Sequence, residues 1–334
     1  MNKGKAFIHT VFSNEAKEIL RKYLEIKHDT SPCIVPLPHN KLLREAMDVD
    51  VLIVHRDKVT KDILEAAEKL KIIGTPHGGY VDEFIDIKEA TKRGVPVIYT
   101  PGRNAEAVAD FTFGLILALA RHIVRADAVM RKSGWFTPFT WDEYQKWGGP
   151  ELFGKTIGII GFGNIGMRVA IRAKGFGMNI IVYDPYVPEE KIEMFGAKPV
   201  DFETLLKNSD FVTIHVKLTS ETKGMIGAKE ISLMKPTSFL INTARADIVD
   251  KRALYEALKN RKIAGAALDV HWKEPLSSDD PFLRLDNVIL TPHIAGDSPD
   301  VIRRHSLMIA RDVERFLKGK RPLHVINPEV FRRR

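Results

Sequence analysis

Short apolar runs alternate with amphipathic stretches along most of this chain. Lys5–His9, Val51–Val54, Lys71–Gly74 and Val95–Tyr99 are brief runs rich in aliphatic and β-branched residues, which suits strands buried on both faces. Between them, Asn14–Leu24 (with Ser13 placed to cap it), Lys61–Leu70 and Ile87–Lys92 carry apolar residues at helical spacing. The alternation resumes after Gly154. Strands are predicted at Thr156–Ile160, Ile180–Val182, Phe211–His215, Ser238–Asn242, Ala264–Asp269 and Val288–Leu290. Helices are predicted after Gly163 and over Ile226–Met234 and Lys251–Asn260, with a last one over Asp300–Lys318 that can return to the N-terminal part. Strand–helix alternation of this kind predicts an α/β protein whose parallel sheets are covered by helices.

Two segments interrupt the rhythm. Pro101-Gly102-Arg103-Asn104 leads into a long apolar helix that Asn104 can cap and that runs to about Arg131, a candidate spine between two domains. Residues 133–153 then hold Trp135, Phe136, Phe139, Trp141, Tyr144, Trp147 and Phe153 among glycines and prolines. A long aromatic loop is a functional or interface arm, or plain packing between domains.

Composition narrows the setting. A chain of 334 residues suggests two domains, and 44% hydrophobic with 28% charged residues is ordinary for a soluble globular protein. The single cysteine, Cys33, excludes an intramolecular disulfide framework and fits a cytoplasmic location. No basic-then-apolar leader opens the chain. The longest apolar run, Ala107–Val124, is interrupted by Asp110 and Arg121 and reads as a buried helix, so no membrane partner is expected. The net charge of +8 is spread along the chain, with only Arg332-Arg333-Arg334 clustered. That distribution predicts a surface biased toward small anionic ligands rather than a nucleic-acid interface.

The strand at Thr156–Ile160 runs directly into Gly161-Phe162-Gly163-Asn164-Ile165-Gly166, and the next strand delivers Asp184. A G-x-G-x-x-G between a strand and a helix, with an acid ending the following strand, is the context in which this motif binds a dinucleotide. Gly161 permits the tight turn, Gly163 lets the backbone approach a pyrophosphate, and Gly166 lets the helix pack on the sheet. The pyrophosphate then meets the free amides at the helix start, near Asn164 and Ile165. Asp184 can accept from the ribose hydroxyls and repels a 2′-phosphate. No cation follows it in Pro185-Tyr186-Val187, so NAD is expected over NADP.

Three later segments each follow a predicted strand, at the sheet edge where α/β proteins bind ligands. They are Asn242-Thr243-Ala244-Arg245-Ala246-Asp247, Leu268-Asp269-Val270-His271-Trp272-Lys273-Glu274-Pro275 and Thr291-Pro292-His293-Ile294-Ala295-Gly296. In this order of N-x-x-R, L-D-V-x-x-x-E-P and T-P-H the chain resembles the D-isomer-specific 2-hydroxyacid dehydrogenases, from about Val51 to Asn327 and most strongly from Gly158 to Gly296. The resemblance implies two Rossmann-like domains with parallel sheets and an active-site cleft between them. Residues 1–102 and 297–334 would form a flavodoxin-like substrate-binding domain, and 103–296 the NAD-binding domain.

It also implies roles. Arg245 would bind the substrate carboxylate and polarise the ketone. His293 would be the general acid/base and Glu274 its orienting partner, since a neighbouring carboxylate favours protonated imidazole. Asp269 would contact the nicotinamide carboxamide. His215, Thr243 and Gly296 would lie on the cofactor side, and His271 would fill a slot that usually holds an aromatic ring. No metal is expected, because the cofactor carries the hydride. Gly78 and Gly79 look like the family's glycine loop, whose amides receive the substrate carboxylate, and Asn104 matches a polar position that can face the substrate. For these the alternatives are a plain turn and a helix cap.

The implied activity is NAD-dependent interconversion of a small 2-keto acid and its D-2-hydroxy acid, with D-3-phosphoglycerate or glyoxylate/hydroxypyruvate as substrates and a homodimer as the assembly. An NAD-sensing, corepressor-like binding protein on the same fold is the alternative. Several positions depart from the family pattern. The loop between Gly79 and Asp86 is long, Ala246 replaces a glycine, Lys217 replaces a proline, and the chain ends soon after Asn327 with no room for an appended regulatory domain. A phosphorylated substrate would need extra cations near the site, and sequence order places none there.

Overall fold

The computed structural model describes residues 3–32, 35–134 and 147–332. The chain forms two compact units, Met1–Asn104 with Asp297–Arg334, and Ala105–Gly296.

The first unit is built on a parallel sheet of β1 (Gly4–His9), β2 (Leu24–His28), β3 (Val51–Val54), β4 (Ile72–Gly74) and β5 (Val97–Ile98), in the order β2-β1-β3-β4-β5. Strand residues alternate between two cores. Phe7, Leu52, Ile73 and Val97 face the layer of α2 (His39–Met47), α3 (Lys61–Ala66) and α4 (Ile87–Lys92). Ile8, Val51, Ile53 and Ile98 face Leu20 of α1 (Asn14–Arg21) and Leu307, Ile309 and Val313 of the C-terminal helix Pro299–Leu317. Two covered faces explain why these strands read as continuous apolar runs. Ser13 caps α1, accepting from the Ala16 amide at 3.3 Å.

Two elements of this unit differ from the sequence expectation. The helix expected to reach Leu24 stops at Arg21, and Leu24–His28 is an edge strand. Its buried Leu24 is followed by exposed Glu25 and Lys27, the period-two pattern of an edge whose charges discourage further pairing. Helix α2 was not expected. It buries only Leu42 and Ala46, four apart, so its apolar stripe is short.

The second unit holds seven parallel strands: β6 (Thr156–Ile160), β7 (Asn179–Tyr183), β8 (Lys198–Pro199), β9 (Phe211–Ile214), β10 (Phe239–Asn242), β11 (Gly265–Leu268) and β12 (Val288–Leu290), ordered β12-β11-β10-β9-β6-β7-β8. The helix expected from Asn104 to Arg131 is two helices, α5 (Ala105–Ala120) and α6 (Ile123–Ser133), bent by 60°. His122 takes φ 53°, which no helix interior accommodates, and the axis turns there. Helix α5 buries nine residues, including Phe113, Ile116 and Leu119, whereas α6 buries none. Among the described residues no single helix is long and apolar enough to cross a membrane. The aromatic positions Trp135, Phe136, Phe139, Trp141 and Tyr144 lie outside the described residues. Trp147 is described, with the Arg125 guanidinium 4.6 Å above its ring.

Register aligns the strand ends. Ile160 pairs with Tyr183 and Ile214, Asn242 with Ile214 and Leu268, and Leu268 with Leu290. The segments leaving β6, β7, β9, β10, β11 and β12 therefore emerge along one edge. The chain leaves β6 toward β7 and β8, then resumes on its other side with β9, which makes β6/β9 the topological switch point.

Candidate active site

The glycine loop leaves β6 at this switch point. Gly161 has φ 94°, and a Cβ there would lie 2.8 Å from the His215 carbonyl carbon. Gly166 sits in the first turn of α7 (Asn164–Gly175), where a Cβ would come within 2.1 Å of the Gly161 oxygen. Both glycines are therefore required by packing. Gly163 differs: a Cβ there would meet nothing within 4 Å. It faces open space at the start of α7, beside Asn164 and Ile165, whose amides belong to the first turn and have no helical acceptor. That opening fits a dinucleotide pyrophosphate.

Asp184 ends β7 and ties the loop down. Its Oδ2 accepts from the Phe162 amide at 2.7 Å and its Oδ1 from the Tyr186 amide at 2.9 Å. Each oxygen keeps a further acceptor position. His215, after β9, hydrogen-bonds Thr213 Oγ1 through Nε2 at 2.8 Å, while its buried Nδ1 has no partner among the described residues. Burial pushes its pKa down to about 3, so the ring is neutral at pH 7 and is no acid there. An orphaned ring nitrogen beside the glycine turn also fits a bound polar group.

After β10, Asn242 shapes the turn that carries Arg245. Its Oδ1 accepts from the Ala244 amide at 3.0 Å and its Nδ2 donates to the Arg245 carbonyl at 2.9 Å. Thr243 is buried, its hydroxyl 3.2 Å from that of Thr112 on α5. Arg245 is exposed and extended (φ −146°), and Nη1 donates to the Ala244 carbonyl at 2.7 Å. Ala246 then begins a 3₁₀ turn, Ala246–Ile248, a conformation that needs no glycine. Lys217 is exposed.

The segments after β11 and β12 are fastened to each other. Asp269, fully buried, accepts from Thr291 Oγ1 at 2.6 Å, from the Ile294 amide at 3.0 Å and from the Ala295 amide at 2.8 Å. Its carboxylate thus organises the loop that carries His293, with Gly296 in the turn that follows. His293 itself takes φ 58°, an uncommon conformation for a side-chain-bearing residue. Its Nδ1 lies 2.8 Å from Glu274 Oε2, and Glu274 Oε1 accepts from the His271 amide at 3.0 Å. Partial burial pushes the Glu274 carboxyl up, but hydrogen bonds from His293 and the His271 amide outweigh it, so its pKa lies below the usual value. An ionised carboxylate facing an imidazole, with both side chains about two-fifths exposed, can hold a proton where a substrate can reach it.

His271 corrects one expectation. It does more than fill an aromatic slot: its Nε2 donates to the Thr291 carbonyl at 2.9 Å, stitching the Glu274 segment to the His293 segment. Asn242, Thr291, Thr112 and His271 carry the architecture of the site, and sequence reasoning assigned none of them this part. For Asn242 the signal was its place two residues before Ala244, the usual reach of an Asx turn.

The remaining expected residues belong to the first unit. Gly78 and Gly79 follow β4, and a Cβ on Gly78 would lie 3.2 Å from the Thr100 carbonyl. The extra length of the next loop is taken up by Tyr80 in the left-handed region (φ 56°) and a 3₁₀ turn, Val81–Glu83, that buries Val81. Asn104 closes the turn before α5.

Comparison with known proteins places the chain in a family. The family model for the D-isomer specific 2-hydroxyacid dehydrogenase NAD binding domain matches residues 113–295. Glyoxylate reductase of Thermococcus litoralis is 44% identical over 330 residues, spanning 98% of each chain. D-3-phosphoglycerate dehydrogenase of Methanocaldococcus jannaschii is 41% identical over 315 residues, 94% of this chain and 57% of that one. Among solved structures, an acyclic imino acid reductase in complex with NADPH and D-Arg superposes with a TM-score of 0.78 at 29% identity, over 96% and 99% of the two chains. The chain belongs to the D-isomer specific 2-hydroxyacid dehydrogenase family and is a nicotinamide-dinucleotide-dependent oxidoreductase interconverting 2-keto and 2-hydroxy acids.

Proposed function

We propose that the protein reduces a small 2-keto acid, glyoxylate, hydroxypyruvate or the 2-keto counterpart of D-3-phosphoglycerate, to the 2-hydroxy acid, of D configuration where that carbon is chiral, using NADH. The observation that carries this reading is the Glu274–His293 pair, 2.8 Å apart on the same sheet edge as the glycine loop.

Gly161, Gly163, Asn164, Ile165 and Gly166 hold the pyrophosphate, and Asp184 the adenosine ribose. Its carboxylate is fixed by two backbone amides, so a fixed negative charge stands where a 2′-phosphate would lie, which favours NAD over NADP. His215, Thr243, Asp269 and Gly296 line the nicotinamide side. Bound there, the dinucleotide supplies the hydride.

The chain's own residues supply the rest. Arg245, presented by the Asn242-clamped turn, grips the substrate carboxylate with its fork of N–H donors and draws electron density from the carbonyl. His293 Nε2 makes no hydrogen bond among the described residues, while Nδ1 is held by Glu274, so the acidic proton points away from its anchor. It passes to the carbonyl oxygen as the alcohol forms, and Glu274 stabilises the imidazolium before transfer. Gly78, Gly79 and Asn104 complete the substrate site, making residues 1–102 with 297–334 the substrate domain and 103–296 the NAD domain.

The assembly is a homodimer that uses α6. This helix has no buried residue, and it exposes Ile123, Val124 and Met130. Oxidation of NADH in the presence of hydroxypyruvate, with the product identified as the D-glycerate enantiomer, tests the reading. Formation of the L enantiomer, or no oxidation with any 2-keto acid, overturns it.

A further inference from the structure

Three neighbouring strands of the first unit deliver a serine, an imidazole and a carboxylate to one edge. The strands β2-β1-β3 are parallel, with Ile8 of β1 beside His28 of β2 and His9 of β1 beside Val54 of β3. The chain leaving β2 carries Ser31, β1 ends in His9, and the chain leaving β3 carries Asp57. The three side chains stand in a row in that order. His9 Nδ1 lies 2.8 and 2.9 Å from the two Asp57 oxygens, and His9 Nε2 lies 3.2 Å from Ser31 Oγ.

Their exposure divides as a nucleophile and its base require. The His9 and Asp57 side chains are fully buried, whereas Ser31 is exposed. Asp57 also accepts from the Leu37 amide at 2.8 Å, which fixes the carboxylate. With Nδ1 donating to Asp57, the neutral ring presents the Nε2 lone pair to the Ser31 hydroxyl. Ser31 is positioned by a turn of its own. Its amide donates to Asp29 Oδ1 at 2.9 Å, Lys41 Nζ donates to Asp29 Oδ2 at 2.5 Å, and the Asp29 amide donates to the Ile8 carbonyl at 2.9 Å. Lys41, and after it Ser31, hold the Asp29 carboxyl far below the usual carboxylate range. Asp29 therefore anchors the turn and is too weak a base to compete with an imidazole for the hydroxyl proton. A free serine is a poor nucleophile. A base within hydrogen-bond reach, oriented in turn by a third group, is what activates it.

We infer that Ser31, His9 and Asp57 form a second catalytic site, which transfers acyl groups from small activated esters to water and uses no nicotinamide. Ser31 Oγ attacks the ester carbonyl carbon while its proton passes to His9 Nε2. The C–O bond to the leaving group then breaks, and the departing oxygen takes the proton from Nε2. Water adds to the acyl-serine with His9 again as base, which releases the acid and restores the hydroxyl. Asp57 keeps Nδ1 protonated and stabilises the imidazolium formed in each step. The site lies within the first unit alone, and none of its three residues takes part in the proposed reduction.

The test is phosphonylation of the full chain by a fluorophosphonate, which forms an Oγ–P bond and releases fluoride, read residue by residue by peptide mass spectrometry. Hydrolysis of p-nitrophenyl acetate without NADH is measured beside it. Ser220 and Ser278 are exposed and have no histidine partner among the described contacts, so they serve as internal references. Ser31 should be labelled about 10²-fold faster than either. Ser31→Ala should melt like the wild type and lose about tenfold or more of the ester hydrolysis. Asp57→Asn should slow the labelling of Ser31 by about tenfold or more. If Asp57→Asn does not fold, the contrast among the three serines in the wild type, with Ser31→Ala, decides. Equal labelling of the three serines, ester hydrolysis that survives Ser31→Ala, or labelling of Ser31 that a folded Asp57→Asn leaves unchanged overturns the site.

Discussion

Glu274 holds His293 by its ring and the adjoining segment by its backbone: Oε2 lies 2.8 Å from His293 Nδ1, and Oε1 accepts from the His271 amide at 3.0 Å. One carboxylate thereby sets the orientation of the imidazole and of the segment beside it. Glu274→Gln keeps the shape and removes the charge. Turnover in the reductive direction should fall by about 10- to 100-fold, because the imidazole loses the charged partner that orients it. NADH affinity should hold. Unchanged turnover would remove Glu274 from this part.

Gly163 and Gly166 separate binding from folding. A methyl at 166 meets the Gly161 carbonyl at 2.1 Å, whereas a methyl at 163 meets nothing within 4 Å. Gly166→Ala should lower stability by about 1–3 kcal/mol, measured by thermal melting. Gly163→Ala should melt like the wild type yet bind NADH more weakly, by fluorescence titration. Equal NADH affinity in Gly163→Ala would mean that no phosphate approaches this backbone.

Much of this was legible in the chain, because a buried parallel strand and a glycine turn have local causes. Six of the seven strands from Thr156 to Leu290 lie within a residue or two of their expected places, since both faces of the sheet demand apolar residues, whereas the two-residue edge strand Lys198–Pro199 was not expected. The edge strand Leu24–His28 was not legible, because only Leu24 is buried and five residues cannot distinguish a fraying helix from a strand. The bend at His122 was hidden too: Ala105–Ala120 and Ile123–Ser133 share helical propensity, and only burial distinguishes them. In the site, Arg245, Glu274 and His293 were identifiable by motif. The parts played by His271 and Thr291 arise from hydrogen bonds between segments 20 and 22 residues apart, which no local pattern encodes, whereas Asn242 shapes its own turn through the next three residues.

Asp184 has two duties that a substitution can pull apart. Its carboxylate carries charge, and its oxygens hold the Phe162 and Tyr186 amides. Asp184→Asn keeps one amide-accepting oxygen and loses the charge, so the preference for NADH over NADPH should narrow by about tenfold with little loss of stability. Asp184→Ala should narrow it as well and also loosen the glycine loop, lowering the melting temperature. A cofactor preference untouched by either change would detach Asp184 from the ribose.

Acid should destabilise the fold in a defined window. Burial holds His55 and His215 at about 3 and His77 and His305 at about 4, against an ordinary value of 6.5. Between these limits the unfolded chain binds protons that the folded chain refuses, so their contribution is complete above pH 6.5 and declines as pH falls toward 4. Melting temperatures at pH 7.5, 5.5 and 4.5 should drop in that order, and His55→Asn should flatten the slope. A melting temperature constant from pH 7.5 to 4.5 would contradict the buried, neutral state of these rings.

The central claim is that His293 delivers the proton to the carbonyl oxygen as hydride arrives at the carbonyl carbon. The most direct measurement is single-turnover oxidation of bound NADH by hydroxypyruvate in His293→Ala, with NADH affinity measured on the same sample. The account predicts a rate lower by about 10³-fold or more with NADH binding within about twofold of the wild type. A His293→Ala protein that turns over at the wild-type rate would contradict it.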